Sequence, residues 1–321
     1  MNSVRYDFTG RLDLSRLSGL LERASEAVSR TDERLRRSPI RDGLIDRVSF
    51  HEALSTIILT GSLVHLEDLI LYDAEANARR VSHELLRAHS VLRARRQLDK
   101  MGINSIRNPE GQAELQGRRG LHKEWRPTEK AFFYDPDHDE DALMEQFNAV
   151  AEKAKSFSPL IEAALIWDAW SVLEPVEFHG WRAALLASAT LKANGTATHY
   201  LAAINWGSRT SRARVHGLMT IEERLAVFLQ WVKESAERTY SECDRLTLAR
   251  ETMMTIAAKK RRNSRLPHLI DLLISRPVIS IPFAARRLNM THKGVAKLLS
   301  ELGSTPRELT GNATYRAYGI V

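Results

Sequence analysis

Apolar residues recur along this chain at helical rather than strand spacing. Leu17, Leu20, Leu21 and Ala24 repeat every three or four positions within 12–37, which predicts a helix that Pro39 ends. The stretch 50–72 is apolar with a break at Gly61. A third helix is expected over 81–98, with Leu85, Leu86, Ala88, Val91 and Leu92 on a broad face and arginines opposite. Further on, the pattern predicts helices at 141–156, 159–171, 178–194, 220–238 and 241–258. Strand evidence is slight: TATHYLAAI (196–204) could form one, or a turn into another helix.

Residues 102–140 differ in kind. Gly, Pro, Asn, Gln and charges dominate with little periodicity, so the segment reads as a linker or loop excursion. At its end, Asp135, Asp137, His138 and Asp139 have the residue types of a metal site. Acids gathered before a helix N-terminus, where the helix dipole favours negative charge, are the better reading.

The run from Ser264 changes the picture. A helix carrying Leu269, Leu272, Leu273 and Ile274 is stopped by Pro277. Ser280 can cap a second helix with Pro282 in its first turn, placing Phe283, Ala285 and Leu288 inward. Asn289-Met290-Thr291 then forms a turn, because Asn tolerates the left-handed conformation that ends a helix and Thr caps the next one. In the third helix Val295, Leu298, Leu299 and Leu302 form one stripe, with Lys293, Gly294 and Lys297 facing away and His292 at the start. A hairpin is expected about Gly311-Asn312, with Arg307 and Arg316 on its strands and Asn312 at its tip. Three helices and a hairpin, with the turn grammar between the last two helices, describe a winged helix-turn-helix.

Charge agrees. Residues 251–321 hold 12 Lys/Arg against 4 Asp/Glu, a balance of +8, while the whole chain is +7, leaving 1–250 at −1. A basic module on a neutral body suits a polyphosphate partner, because clustered cations release condensed counterions. Lys259, Lys260, Arg261, Arg262 and Arg265 form a run that could grip phosphates. A winged helix used only for packing or dimerisation is the alternative.

Other chemistry is thin. The only cysteine is Cys243, so no intrachain disulfide forms, and it reads as a small helix residue. The longest apolar run, 183–191, is too short to span a bilayer, and the N-terminus lacks the order of a signal peptide, so no membrane role and a cytoplasmic location are expected. The chain has no G-x-x-x-x-G-K-[ST], G-x-S-x-G, H-E-x-x-H or paired C-x-x-C, so no cofactor is expected.

The order of parts resembles the Fic family of AMP-transferring enzymes. The C-terminal stretch looks like the winged helix that ends many of them, HGWRAALLASATLKANG (179–195) is similar to the helix after their catalytic loop, and ALSTIILTGSLVHLEDLIL (53–71) sits where they carry an inhibitory helix. In the loop itself, EPVEFHGWR (174–182), only Pro175, Gly180 and Arg182 echo the family. Glu174 stands where the resemblance puts a catalytic His, and the phosphate-cradling Gly-Asn-Gly is missing. In the inhibitory motif Thr56 and Gly61 fit, while Thr60 replaces its Glu. Nearly the full chain also resembles a bacterial family, often plasmid-borne, described by its C-terminal helix-turn-helix.

These readings converge on a mainly α fold: a multi-helix, degenerate Fic-like body followed by a C-terminal winged helix-turn-helix. The expected divisions are an N-terminal helical region (1–100), the linker or loop (101–140), a helical core (141–258) and the DNA-binding domain (259–321). The function expected is sequence-specific binding of double-stranded DNA by a transcriptional regulator, with a body that forms a homodimer or senses a signal. Base contacts would come from His292, Lys293 and Lys297, and phosphate contacts from Arg286, Arg287, Arg262, Arg265 and the wing at Asn312 and Arg316. The alternatives are a divergent nucleotidyl transferase with Glu174 or His179 as base, and the DNA-binding half of a toxin–antitoxin or plasmid-maintenance pair.

Overall fold

The computed structural model describes residues 6, 8, 12–73, 81–101, 138–176, 179–260, 264–309 and 316–320, with backbone alone at 100 and 101. The fold is mainly helical and ends in a helix-turn-helix with a small sheet. The helices are α1 (Ser18–Arg36), α2 (Arg41–Leu59), α3 (Leu66–Asp73), α4 (His83–Met101), α5 (Glu140–Ala154), α6 (Pro159–Leu173), α7 (Arg182–Ala193), α8 (Ile204–Thr210), α9 (Ile221–Ala258), α10 (Leu266–Ser275), α11 (Ile281–Leu288) and α12 (His292–Glu301). Strands β1 (Ile279–Ser280), β2 (Arg307–Glu308) and β3 (Ala317–Gly319) form one sheet.

Two expectations change, and one open reading is decided. The two helices at 220–238 and 241–258 are one continuous helix, α9. No Gly or Pro stands near their junction, and Thr239 is buried there at 1% exposure, so nothing interrupts the hydrogen-bond ladder. The stretch 196–204 forms no strand; it turns into the short α8. The helix expected from 178 begins at Arg182, because 174 and 179–181 form a loop: Glu174 closes α6 in the left-handed conformation (φ 41°), and Trp170 Nε1 donates to the His179 carbonyl at 3.0 Å. Asp139 caps α5 by accepting from the Ala142 amide at 3.0 Å, which fits the helix-start reading. Asp135 and Asp137, and nearly all of the expected linker, lie outside the described residues.

The chain divides into two compact units, each drawn from two stretches of sequence: residues 1–29 with 93–236, and residues 30–92 with 237–321. The first unit is built on α6, which is buried along almost its whole length. Trp167 stacks on Phe228 at 5.2 Å and meets Trp231 edge-on at 5.3 Å, while Trp170 meets Phe147 edge-on at 5.0 Å. Such pairs add about 0.5–1.5 kcal/mol each beyond burial. Fully buried Asp168 accepts two bonds from Arg224, at 2.6 and 2.8 Å, and one from the Tyr6 hydroxyl at 2.7 Å, so its charge is met within the core. Arg95, read from sequence as surface, turns inward to the carbonyls of Leu201 and Ala202.

The second unit packs α2 against α10. At Gly43 a Cβ would stand 3.0 Å from Ile274 Cγ2 and 3.5 Å from the Ser275 backbone, so the glycine permits the close approach. Leu44, Val48, Leu269, Ile270 and Leu273 are all buried. Cys243 is also buried there, with its sulfur 3.6 Å from the Ser38 hydroxyl, which suits a small packing residue. Among the described residues no helix is long and apolar enough to cross a membrane, and no cluster of His, Cys, Asp and Glu could hold a metal ion.

Candidate DNA-binding interface

Local sequence builds the helix-turn-helix. Ser280 is extended and its Oγ accepts from the Phe283 amide at 3.3 Å, starting α11 with Pro282 in its first turn. Asn289 ends α11 in the left-handed region (φ 51°, ψ 57°), and the Met290 amide reaches back to the Ala285 carbonyl at 2.9 Å. Thr291 caps α12 by accepting from the Gly294 amide at 3.1 Å. Phe283, Ala284, Ala285 and Leu288 on α11 and Val295, Leu298 and Leu299 on α12, with Leu302 just beyond, are buried.

The buried stripe of α12 forces the opposite face outward. His292, Lys293, Ala296, Lys297 and Ser300 are exposed. Among the described residues neither Lys293 nor Lys297 has a carboxylate partner. Arg286 and Arg287 are exposed in the last turn of α11. Arg265 is exposed at the N-cap of α10. Arg316 is exposed at the start of β3, with its Nε 3.8 Å from Glu308 Oε1. Arg262 and Asn312, together with the Gly311-Asn312 turn, lie outside the described residues. In the basic run, Lys260 is taken up by Glu301 at 3.1 Å, which draws the end of α9 to the end of α12, while Lys259 stays exposed.

The wing has a strand that its sequence did not announce. β1 pairs with β3 (Ile279 opposite Tyr318, Ser280 opposite Ala317), and β3 pairs with β2 (Arg307 opposite Gly319, Glu308 opposite Tyr318), all antiparallel, in the order β1-β3-β2. A two-residue strand that ends on the capping Ser280 carries no periodicity, so β1 is invisible locally. Gly319 is tightly held: a Cβ would lie 2.6 Å from the Pro277 carbonyl and 2.8 Å from Leu309 Cδ1.

Sequence reasoning also missed the cations beneath this surface. Arg47 on α2 is buried at 3% exposure. Its Nε donates to Glu242 at 2.7 Å, Nη1 to the carbonyls of Leu273 at 3.4 Å and Arg276 at 3.1 Å, and Nη2 to the carbonyl of Ile320 at 2.9 Å. Burial lowers its pKa to about 10 against the opposing pull of Glu242. Arg276 leaves α10 close to Asp46, 3.8 Å from Asp73, and with its guanidinium 4.9 Å from the Phe50 ring centre. Burial, and then the charge of Arg287, lower its pKa to about 10. An arginine inside an amphipathic helix reads as surface, and only its partners reveal otherwise.

Two family models match the chain. One, a protein of unknown function family (DUF1612), covers residues 132–258. The other, an HTH DNA binding domain, covers residues 266–321 and so begins at the first residue of α10. Among curated proteins, the uncharacterized protein y4cF of Sinorhizobium fredii (strain NBRC 101917 / NGR234) is 30% identical, over 96% of this chain and 99% of the relative.

Proposed function

Because the chain belongs to this family, a helical body that ends in a helix-turn-helix DNA-binding domain, we propose that it is a sequence-specific regulator acting on double-stranded DNA. α12 enters the major groove, with His292, Lys293 and Lys297 at base edges. Arg286, Arg287, Arg265, Arg262, Arg316 and Asn312 hold phosphates and fix the register. The DNA-reading part spans 259–321, and the body, Fic-like over 141–258, dimerises or senses a signal. One observation carries the reading: the exposed face of α12 bears two lysines one turn apart, and Arg286 and Arg287 are exposed in the last turn of α11. Solvent-directed cations on the second helix of this motif are placed to meet DNA rather than the protein's own core.

The test is selection of genomic DNA fragments by the full chain, in parallel with a Lys293→Ala/Lys297→Ala variant. The wild type should enrich a shared sequence and the variant should not. Equal enrichment by both would remove α12 from the interface, and no enrichment by either would end the regulator reading.

A further inference from the structure

The exposed face of α12 has an unusual restriction in its hydrogen-bonding chemistry. Lys293 and Lys297 are donors without acceptors. Ala296 between them offers a methyl group, and the Ser300 hydroxyl already donates to the Lys297 carbonyl at 2.7 Å. Glu301, the acid in this helix, is engaged by Lys260. Apart from His292 at its first position and the oxygen of Ser300 at its far end, that face holds no acceptor, and it carries no Asn or Gln to pair with adenine and no free carboxylate to accept from the cytosine amino group.

We infer that α12 selects guanines, an inference that rests on the DNA-binding reading above. In the major groove guanine shows two adjacent acceptors, N7 and O6, whereas adenine sets a donor beside its acceptor. An ammonium is satisfied by guanine and repelled by the adenine amino group. Four residues of helix rise about 6 Å, and successive base pairs are about 3.4 Å apart. Lys293 and Lys297 therefore reach guanines about two steps apart, and the Ala296 methyl suits a thymine C5-methyl between them. Arg286 and Arg287 lie off this face on α11, so charge for the phosphates is supplied separately.

The experiment enriches bound sequences from a random duplex library with full-length wild type, Lys293→Gln and Lys297→Gln. Both positions are exposed, and circular dichroism checks that each variant keeps its helices. The wild-type motif should contain guanines about two steps apart, and each Gln variant should move one of them to adenine. Replacing those guanines by 7-deazaguanine should weaken wild-type binding about tenfold or more. A wild-type motif without guanine, guanine preferences unchanged in both variants, or no effect of 7-deazaguanine would overturn the inference while leaving DNA binding intact. Absence of any motif would overturn the proposed function itself.

Discussion

The guanidinium of Arg47 donates to the main-chain carbonyl of Ile320 at 2.9 Å, so a helix near the start of the chain holds the residue that follows β3, the middle strand of the C-terminal sheet. The same side chain satisfies the carbonyls of Leu273 and Arg276, where α10 ends and its last carbonyls lack helical partners. The helix-turn-helix is thereby stapled to α2 and, through Glu242, to α9 within one compact unit.

Removing that staple should be costly. Arg47→Met leaves Glu242 without its buried partner and three carbonyls without a donor. Loss of one member of a buried ion pair costs about 3–5 kcal/mol. Urea denaturation of the full chain measures it, and an Arg47→Met/Glu242→Met double variant should recover part of the loss. A single variant as stable as wild type would show that the contacts are dispensable.

The pair also sets a pH dependence. Burial raises the Glu242 carboxyl, but hydrogen bonds from Arg245 at 2.7 and 2.9 Å and the charge of Arg47 outweigh it and hold the pKa below the ordinary 4.5. A depressed carboxylate stabilises the fold above its unfolded pKa, and that contribution is lost as pH falls from about 4.5 through the folded value. Melting temperature followed from pH 7 to 3 should therefore fall less steeply in Glu242→Gln. Parallel curves for the two proteins would contradict the linkage.

The wing should be sensitive at one glycine. In Gly319→Ala the new methyl would meet the Pro277 carbonyl and the Leu309 side chain, and only the latter can move. Overpacking of this kind costs about 1–3 kcal/mol. Amide exchange at Tyr318 and Ile279 should accelerate, and unchanged protection would mean that the strands absorb the methyl.

Reading and gripping should separate in DNA affinity. Lys293→Ala or Lys297→Ala should weaken the preferred sequence by about 1–3 kcal/mol per lost base contact. Arg265→Ala, Arg286→Ala or Arg262→Ala should weaken all sequences alike and flatten the salt slope by about one unit per phosphate. If both classes behave identically in salt titrations, the division between base and phosphate contacts is wrong.

A fragment of residues 259–321 should fold poorly by itself. It lacks α2, which covers α10, and it lacks Arg47 for the carbonyls of Leu273, Arg276 and Ile320. Thermal unfolding followed by circular dichroism should be broad and early. A sharp transition near that of the full chain would show that the module stands alone.

Wherever a contact partner lies within four residues, the chain announces its own structure. Ser280, Asn289 and Thr291 were legible as caps and turn because each satisfies a neighbouring amide or adopts a backbone conformation its residue type allows. The α12 stripe was legible because burial and exposure alternate at the helical period. Lys293 and Lys297 followed as outward residues once Val295, Leu298 and Leu299 were placed inward. By contrast, β1 is two residues long and exists only because β3 pairs with it. The continuity of α9 past 238–241 depended on burial of Thr239, which no local rule reveals.

The sequence by itself determined the helical class, the helix-turn-helix and the outward cations of α12, because these follow from periodicity, capping and short-range sterics. Tertiary structure alone decided that residues 30–92 join 237–321 in one unit, and that Arg47 and Arg95 are interior donors rather than surface charges. The reason is physical. Arg47 and Arg95 are buried where fixed acceptors converge on them, three carbonyls and a carboxylate for Arg47 and two carbonyls for Arg95, and those acceptors come from residues 106 to 273 positions away along the chain.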